Sequence, residues 1–269
     1  MKQRVITAAI GIPLLLIVLL ACPPWATAVL CCALSAVGCY ELIMALGGER
    51  KRMFIGMPVF SAAETAIFCF QPKNTALLGA CAFLVVIYAF GVSILCYGTD
   101  KKVSFAQVMA GIFSALAISA AFSSLSLLRG VSPVLVLMPL VAAFSSDAGA
   151  YFAGRAFGKH KLAPAVSPNK TVEGCVGGFV GSVAVMALFN LVAGWAVSFH
   201  LDWALIIAAG VVGSFMGQLG DLSFSVIKRE YGIKDYGKIF PGHGGVLDRF
   251  DSVIFVAPTF WLLFRLWLN

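Results

Sequence analysis

Between Ser225 and Asp251 the chain reads SVIKREYGIKDYGKIFPGHGGVLDRFD, with apolar runs on both sides. Lys228, Arg229, Lys234, Lys238 and Arg249 carry positive charge, and Asp248 and Asp251 carry carboxylates. Ionisable groups beside a bilayer are costly to keep and mark functional sites. Bases at this density suit phosphate groups, Arg by its planar fork. Gly242, Gly244 and Gly245 around His243 allow close backbone approach to an anion. Asp221, Ser225 and Lys228 are spaced i, i+4, i+7 and share one helix face, while Asp248 and Asp251 at i, i+3 can point together. Carboxylate oxygens without a Cys or His cluster favour a hard cation such as Mg²⁺. The chemistry these residues suit is metal-assisted handling of phosphates. The alternative is that each Asp pairs with a nearby Lys or Arg.

An earlier stretch, Ser167 to Gly174 (SPNKTVEG), adds Lys170, two hydroxyls and a helix start that Thr171 or Ser167 could cap. Helix N-termini bind anions. Asp147 lies about two turns before the inner end of the sixth apolar run, Glu173 opens the seventh, and Asp221 lies close to the inner end of the eighth. Together with Asp248 and Asp251, five carboxylates from four helices are expected to approach one plane. Neither a P-loop nor a dinucleotide fingerprint is present.

The elements that must hold these groups are membrane helices. The chain of 269 residues is 61% hydrophobic and 12% charged, where a soluble domain has roughly 25% charged residues. Apolar runs near 5–21, 25–46, 54–70, 75–97, 104–128, 133–154, 174–198, 203–226 and 251–268 imply an all-α polytopic protein with about nine transmembrane helices. The first and third runs are the shortest. With the N-terminus cytoplasmic, all but Lys73, Arg129 and Arg265 of the 19 basic residues face inward, and the C-terminus lies outside. Arg50-Lys51-Arg52 and Lys101-Lys102 serve this topology, and the net charge of +7 follows from it. No polar linker divides the chain, so residues 1–269 read as one domain. Eight cysteines within or beside apolar runs read as free thiols. The start, MKQRVITAAIGIPLLLIVLLAC, has the look of a signal peptide but reads as a first membrane helix.

The polar block resembles the signature of phosphatidate cytidylyltransferases, also called CDP-diacylglycerol synthases. The pattern falls on Ser225, Ile227, Lys228, Arg229, Lys234, Asp235, Gly237, Pro241, His243, Gly244, Gly245, Val246, Asp248, Arg249, Phe250 and Asp251. The SPNKTVEG segment and the stretch Asp147 to Tyr151 look like family features too. The resemblance implies that CTP and phosphatidic acid give CDP-diacylglycerol and pyrophosphate. It implies Mg²⁺, a second monovalent cation (K⁺) beside it, and a homodimer at a bacterial-type inner membrane with the site facing the cytoplasm. By carry-over, Asp221, Asp248 and Asp251 form the metal centre, with Lys228 beside them as a catalytic residue. Ser225, Arg229, Lys234, His243, Gly244, Gly245, Arg249, Lys170 and Asp147 bind substrate. Residues 131–269 then carry the motifs and 1–130 supply mainly scaffold and dimer helices. Membrane lipid is the setting, and no nucleic-acid partner is expected.

Particular residues speak against two rival classes. One is another membrane phosphotransferase, such as a CDP-alcohol phosphatidyltransferase or a polyprenol kinase; Asp147-Ala148-Gly149-Ala150-Tyr151 lacks the order of Asp, Gly and Arg of the former. A cation-coupled transporter would place its acids near the midplane. Only Glu64 lies there, and it reads as a protonated or hydrogen-bonded acid inside the bundle.

Overall fold

The computed structural model describes residues 2–45, 55–99 and 102–268, and their side chains except those at 2–6, 8 and 268. Arg50, Lys51, Arg52 and Lys101 lie outside the described residues, as do the side chains of Lys2 and Arg4.

Among the described residues nine α-helices follow one another: α1 Lys2–Leu16, running into a π-helical turn at Ile17–Ala21, then α2 Pro24–Ala45, α3 Met57–Phe70, α4 Thr75–Cys96, α5 Phe105–Val131, α6 Met138–Phe157, α7 Val172–Val197, α8 Trp203–Glu230 and α9 Leu247–Leu268. Their starts are written locally. Pro24, Pro58 and Pro139 stand in first turns, where a missing N–H costs nothing. Asn74 caps α4 by accepting from the Leu77 amide at 3.0 Å. Thr171 caps α7 by accepting from the Gly174 amide at 3.1 Å. Among the described residues seven helices are long and apolar enough to cross a membrane, and the stretches Ala9–Ala21 and Met57–Phe70 are shorter apolar helices. The protein is a mostly helical, multi-pass membrane protein.

One feature departs from an all-α chain. Strands β1 (Lys161–Ala163) and β2 (Ser167–Thr171) pair antiparallel, with Lys161 opposite Thr171. Pro164 and Pro168 bias the residues before them toward extended backbone, so this segment cannot continue either neighbouring helix. The Val166 amide closes the turn on the Ala163 carbonyl at 3.1 Å.

Backbone contacts sort the chain into two compact units. The first comprises Met1–Leu127 and Glu230–Arg249, the second Leu128–Arg229 and Phe250–Asn269. In the first, Gly38 on α2 lies against Leu247, Ile118 and Phe122, close enough that a Cβ would sit 3.2–3.7 Å from them. Buried hydroxyls pair across its helices: Ser35 with Ser61 at 2.6 Å, and Ser119 donating to the Glu64 carboxylate at 2.9 Å. In the second, α6 and α7 approach through glycines; a Cβ on Gly149 would sit 2.5 Å from the Gly177 carbonyl oxygen. Small residues permit such approach where lipid offers no hydrophobic drive between helices.

Candidate active site

Within the second unit, acids from three helices gather because α8 is notched on one side. A Cβ on Gly220 would lie 2.6 Å from the Asp251 carbonyl oxygen, and one on Gly217 would touch Ser252 and Ala143 at 3.8 and 3.9 Å. The missing side chains let α8 lie against α9 and α6. Asp221 follows Gly220 directly, so close packing brings it to the start of the α9 segment that carries Asp251.

Asp221 is bonded on both oxygens. Its Oδ2 pairs with Lys170 Nζ at 2.6 Å, both side chains about a quarter exposed. Its Oδ1 accepts from Ser225 Oγ at 3.3 Å, one turn on, as the shared helix face requires. Asp251 Oδ1 accepts from the Ser252 amide at 2.7 Å and from the Ser252 hydroxyl at 3.4 Å. The Ser252 side chain also bonds Asp147 on α6. Asp147 lies within electrostatic reach of Asp221 and Asp251, which repel it, and of Lys170, which attracts it. Asp147, Asp221, Asp251 and Lys170 thus form one group, with negative charge in excess of positive.

A buried polar layer supports it. Ser146 Oγ, beside Asp147, meets Ser214 Oγ at 2.8 Å, and Gln218 Nε2 donates to Ser214 Oγ at 3.0 Å and to the Cys175 carbonyl at 3.2 Å. Sequence reasoning missed Ser252, Ser146, Ser214 and Gln218. The available signal was polar residues within apolar runs, one, three or seven positions from an acid.

Glu173 is bonded to the hairpin. It accepts from the Lys159 amide at 3.0 Å and the His160 amide at 3.2 Å, and pairs with His160 Nδ1 at 2.6 Å. The hairpin folds residues 159–160 back over the start of α7, and Glu173 is spent on locking that fold. Arg229, exposed at the end of α8, donates through Nε to the Val166 carbonyl at 3.1 Å and so ties α8 to the hairpin. Lys228 is half-buried on the same turn.

In the first unit the motif loop is drawn together by its own carboxylate. Asp248 Oδ2 accepts from the Tyr236 amide at 2.8 Å and the Gly245 amide at 2.9 Å. The Phe240 amide bonds the Gly244 carbonyl and the His243 amide bonds the Phe240 carbonyl, both at 2.9 Å. This tight return needs left-handed backbone at Gly242 (φ 77°) and Gly244 (φ 86°), which only glycine adopts freely. Arg249 Nε donates to the His243 carbonyl at 2.8 Å. His243 Nδ1 is buried without a hydrogen-bond partner among the described residues. Lys234 and Lys238 are exposed. Glu41 on α2, absent from any sequence expectation, accepts from the amides of Val246 at 3.0 Å and Leu247 at 2.9 Å.

The model of the Cytidylyltransferase family matches residues 2–267. This chain belongs to the cytidylyltransferase family. Curated relatives called phosphatidate cytidylyltransferase include those of Bacillus subtilis (strain 168), 47% identical over 126 residues, and Staphylococcus haemolyticus (strain JCSC1435), 46% identical over 128. That of Staphylococcus aureus (strain COL) is 43% identical over 129 residues. These alignments cover 47–48% of this chain and 45–48% of each relative, so the chain spans about half the length of the curated relatives it matches.

For this cytidylyltransferase-family chain, the fit of a metal rests on its donors. Among the described residues no three His, Cys, Asp or Glu side chains converge into a ready-made cage. Mg²⁺ needs no such cage, since it is commonly held by one or two carboxylates plus substrate phosphates and water. Asp221 and Asp251 offer oxygen donors of that kind, with Lys170 paired to Asp221. The donor chemistry fits Mg²⁺.

Proposed function

We propose that this chain transfers the cytidylyl group of CTP to phosphatidic acid, giving CDP-diacylglycerol and pyrophosphate. The observation that carries the reading is the group formed by Asp147, Asp221, Asp251 and Lys170 on helices of a membrane protein, in a chain of the cytidylyltransferase family. Its relatives' name supports the substrates.

The reaction joins two anions. An oxygen of the phosphatidate phosphate attacks the α-phosphorus of CTP; the new P–O bond forms as the bond to the β-phosphate oxygen breaks, and pyrophosphate leaves. Phosphatidate is already ionised near neutral pH, so no strong base is required. The chain must neutralise and align charge. Lys170 and Lys228 stand as point charges for phosphates, and Arg229 and Arg249 as forks. Lys234, the Gly244-Gly245 backbone, Ser225 and Asp147 belong to the same substrate-binding set. His243 shapes the loop or meets a phosphate. Asp221 and Asp251 would hold Mg²⁺, and the resemblance adds Asp248. When bound, the metal shields the triphosphate and stabilises charge moving to pyrophosphate.

All nine helices are read as spans, with the N-terminus and the site on the cytoplasmic side of a plasma membrane and the C-terminus outside. CTP is water-soluble and phosphatidate is a lipid, so a site at headgroup depth serves both. A homodimer and a second monovalent cation, K⁺, rest on the resemblance. Purified protein in detergent, given radiolabelled CTP and phosphatidic acid, should yield labelled liponucleotide only with Mg²⁺. Substrate bound or moved without a labelled lipid product would refute the reading.

A further inference from the structure

The geometry points to Glu41 as a positioning residue that sets the shape of the motif loop from a distant helix; its role in turnover rests on the activity proposed above. The first amides of a helix have no partner within it, and a side chain at the N-cap commonly supplies one. The residue before α9 is Val246, which has no acceptor to give. Glu41 supplies both oxygens instead, from 205 positions earlier in the chain: Oε1 to the Val246 amide and Oε2 to the Leu247 amide. It is 3% exposed. A carboxylate here is also favoured by the helix dipole.

The loop is built around this carboxylate. A Cβ on Gly237 or on Gly245 would collide with the Glu41 carboxylate oxygens. Glycine at these two motif positions is therefore required by the space that Glu41 fills. Asp248 closes the same knot through Tyr236 and Gly245. Both ends of the loop, 236–237 and 245–247, thus wrap two buried carboxylates. The first turn of α9, with Asp248 and Arg249, is held where α2 puts it. Glu41 is sealed behind this backbone and among the described residues makes no ion pair, so it acts through the loop and touches no substrate.

Glu41→Gln keeps the shape but offers one amide oxygen and turns an NH₂ toward a buried N–H. We expect folded protein at wild-type yield and kcat lowered about 10–100-fold, the cost of a small misplacement of reacting groups. KM for phosphatidate should stay within about twofold, because uniform binding is not removed. Deuterium exchange should quicken in peptides covering 245–248. Gly237→Ala, which displaces the carboxylate while keeping it in the chain, should give the same signature. Wild-type kcat in folded Glu41→Gln protein would overturn the proposal, as would loss of folded protein in both variants, which would make Glu41 a tie of the fold alone. If the wild type itself forms no CDP-diacylglycerol, the activity reading fails. Exchange then decides the clamp by itself: faster in Glu41→Gln upholds it and unchanged overturns it.

Discussion

Lys170, carried on β2, reaches Asp221 on α8 at 2.6 Å, bridging a hairpin and a helix fifty-one positions away in sequence. Both side chains are about a quarter exposed rather than sealed, so on the proposed function the ammonium can leave the carboxylate for a phosphate without opening the core. The alternative reading, an Asp neutralised by a nearby base, and the functional one therefore meet in a single contact. On the function proposed above, Asp221 would exchange this Lys for a metal when nucleotide brings its own charge.

That exchange makes Lys170 testable. Lys170→Met should lower kcat/KM for CTP roughly 100-fold, in the range seen when one donor to a developing charge is lost. Lys170→Arg should retain more activity than Lys170→Met. Steady-state kinetics at saturating phosphatidate would check the order.

Charge at the acids can be separated from their shape. Asp221→Asn and Asp251→Asn should abolish measurable turnover while the protein stays folded in the membrane. Lys238→Ala, at an exposed position that the motif does not specify, should stay within about threefold of wild type, as surface changes away from a site usually do. Product assays paired with size-exclusion profiles decide both points.

Asp248 has two roles to tell apart. Its Oδ2 gathers the Tyr236 and Gly245 amides, a job that an Asn oxygen can also do. Asp248→Asn should therefore keep wild-type thermal stability but lose activity if the residue meets the metal. Asp248→Ala should lose both, since two buried amides are left without an acceptor at about 1–3 kcal/mol each. An active Asp248→Asn would reduce the residue to a loop organiser.

Helix approach at Gly220 carries its own expectation. Gly220→Ala drives a methyl toward the Asp251 carbonyl and the Phe255 side chain, and overpacking of this kind costs about 1–3 kcal/mol. Its melting temperature in detergent should fall and turnover with it. Gly91→Ala on α4, where nothing lies within 4 Å of the added methyl, should leave both unchanged.

What could be read in advance follows from the range of the forces involved. Helix positions are written in runs of apolar residues, and the Asp221–Ser225 bond follows from helical spacing alone. The hairpin was hidden because its strands are three and five residues long and mostly polar. With it were hidden the Lys170–Asp221 pair and the capture of Glu173 by His160. Glu41 was illegible for another reason: a lone acid in an apolar run looks the same whether it caps a helix from 205 positions away or merely hydrogen-bonds, as Glu64 does to Ser119.

On the proposed function, carboxylates on α8 and α9 hold a divalent ion against the triphosphate of CTP. Binding of paramagnetic Mn²⁺, followed by its spectrum in detergent with CTP present, tests this most directly. One ion should bind per chain in the wild type and be released by added Mg²⁺, and its binding should be lost in both Asp221→Asn and Asp251→Asn. Wild-type Mn²⁺ affinity in either variant would contradict the account.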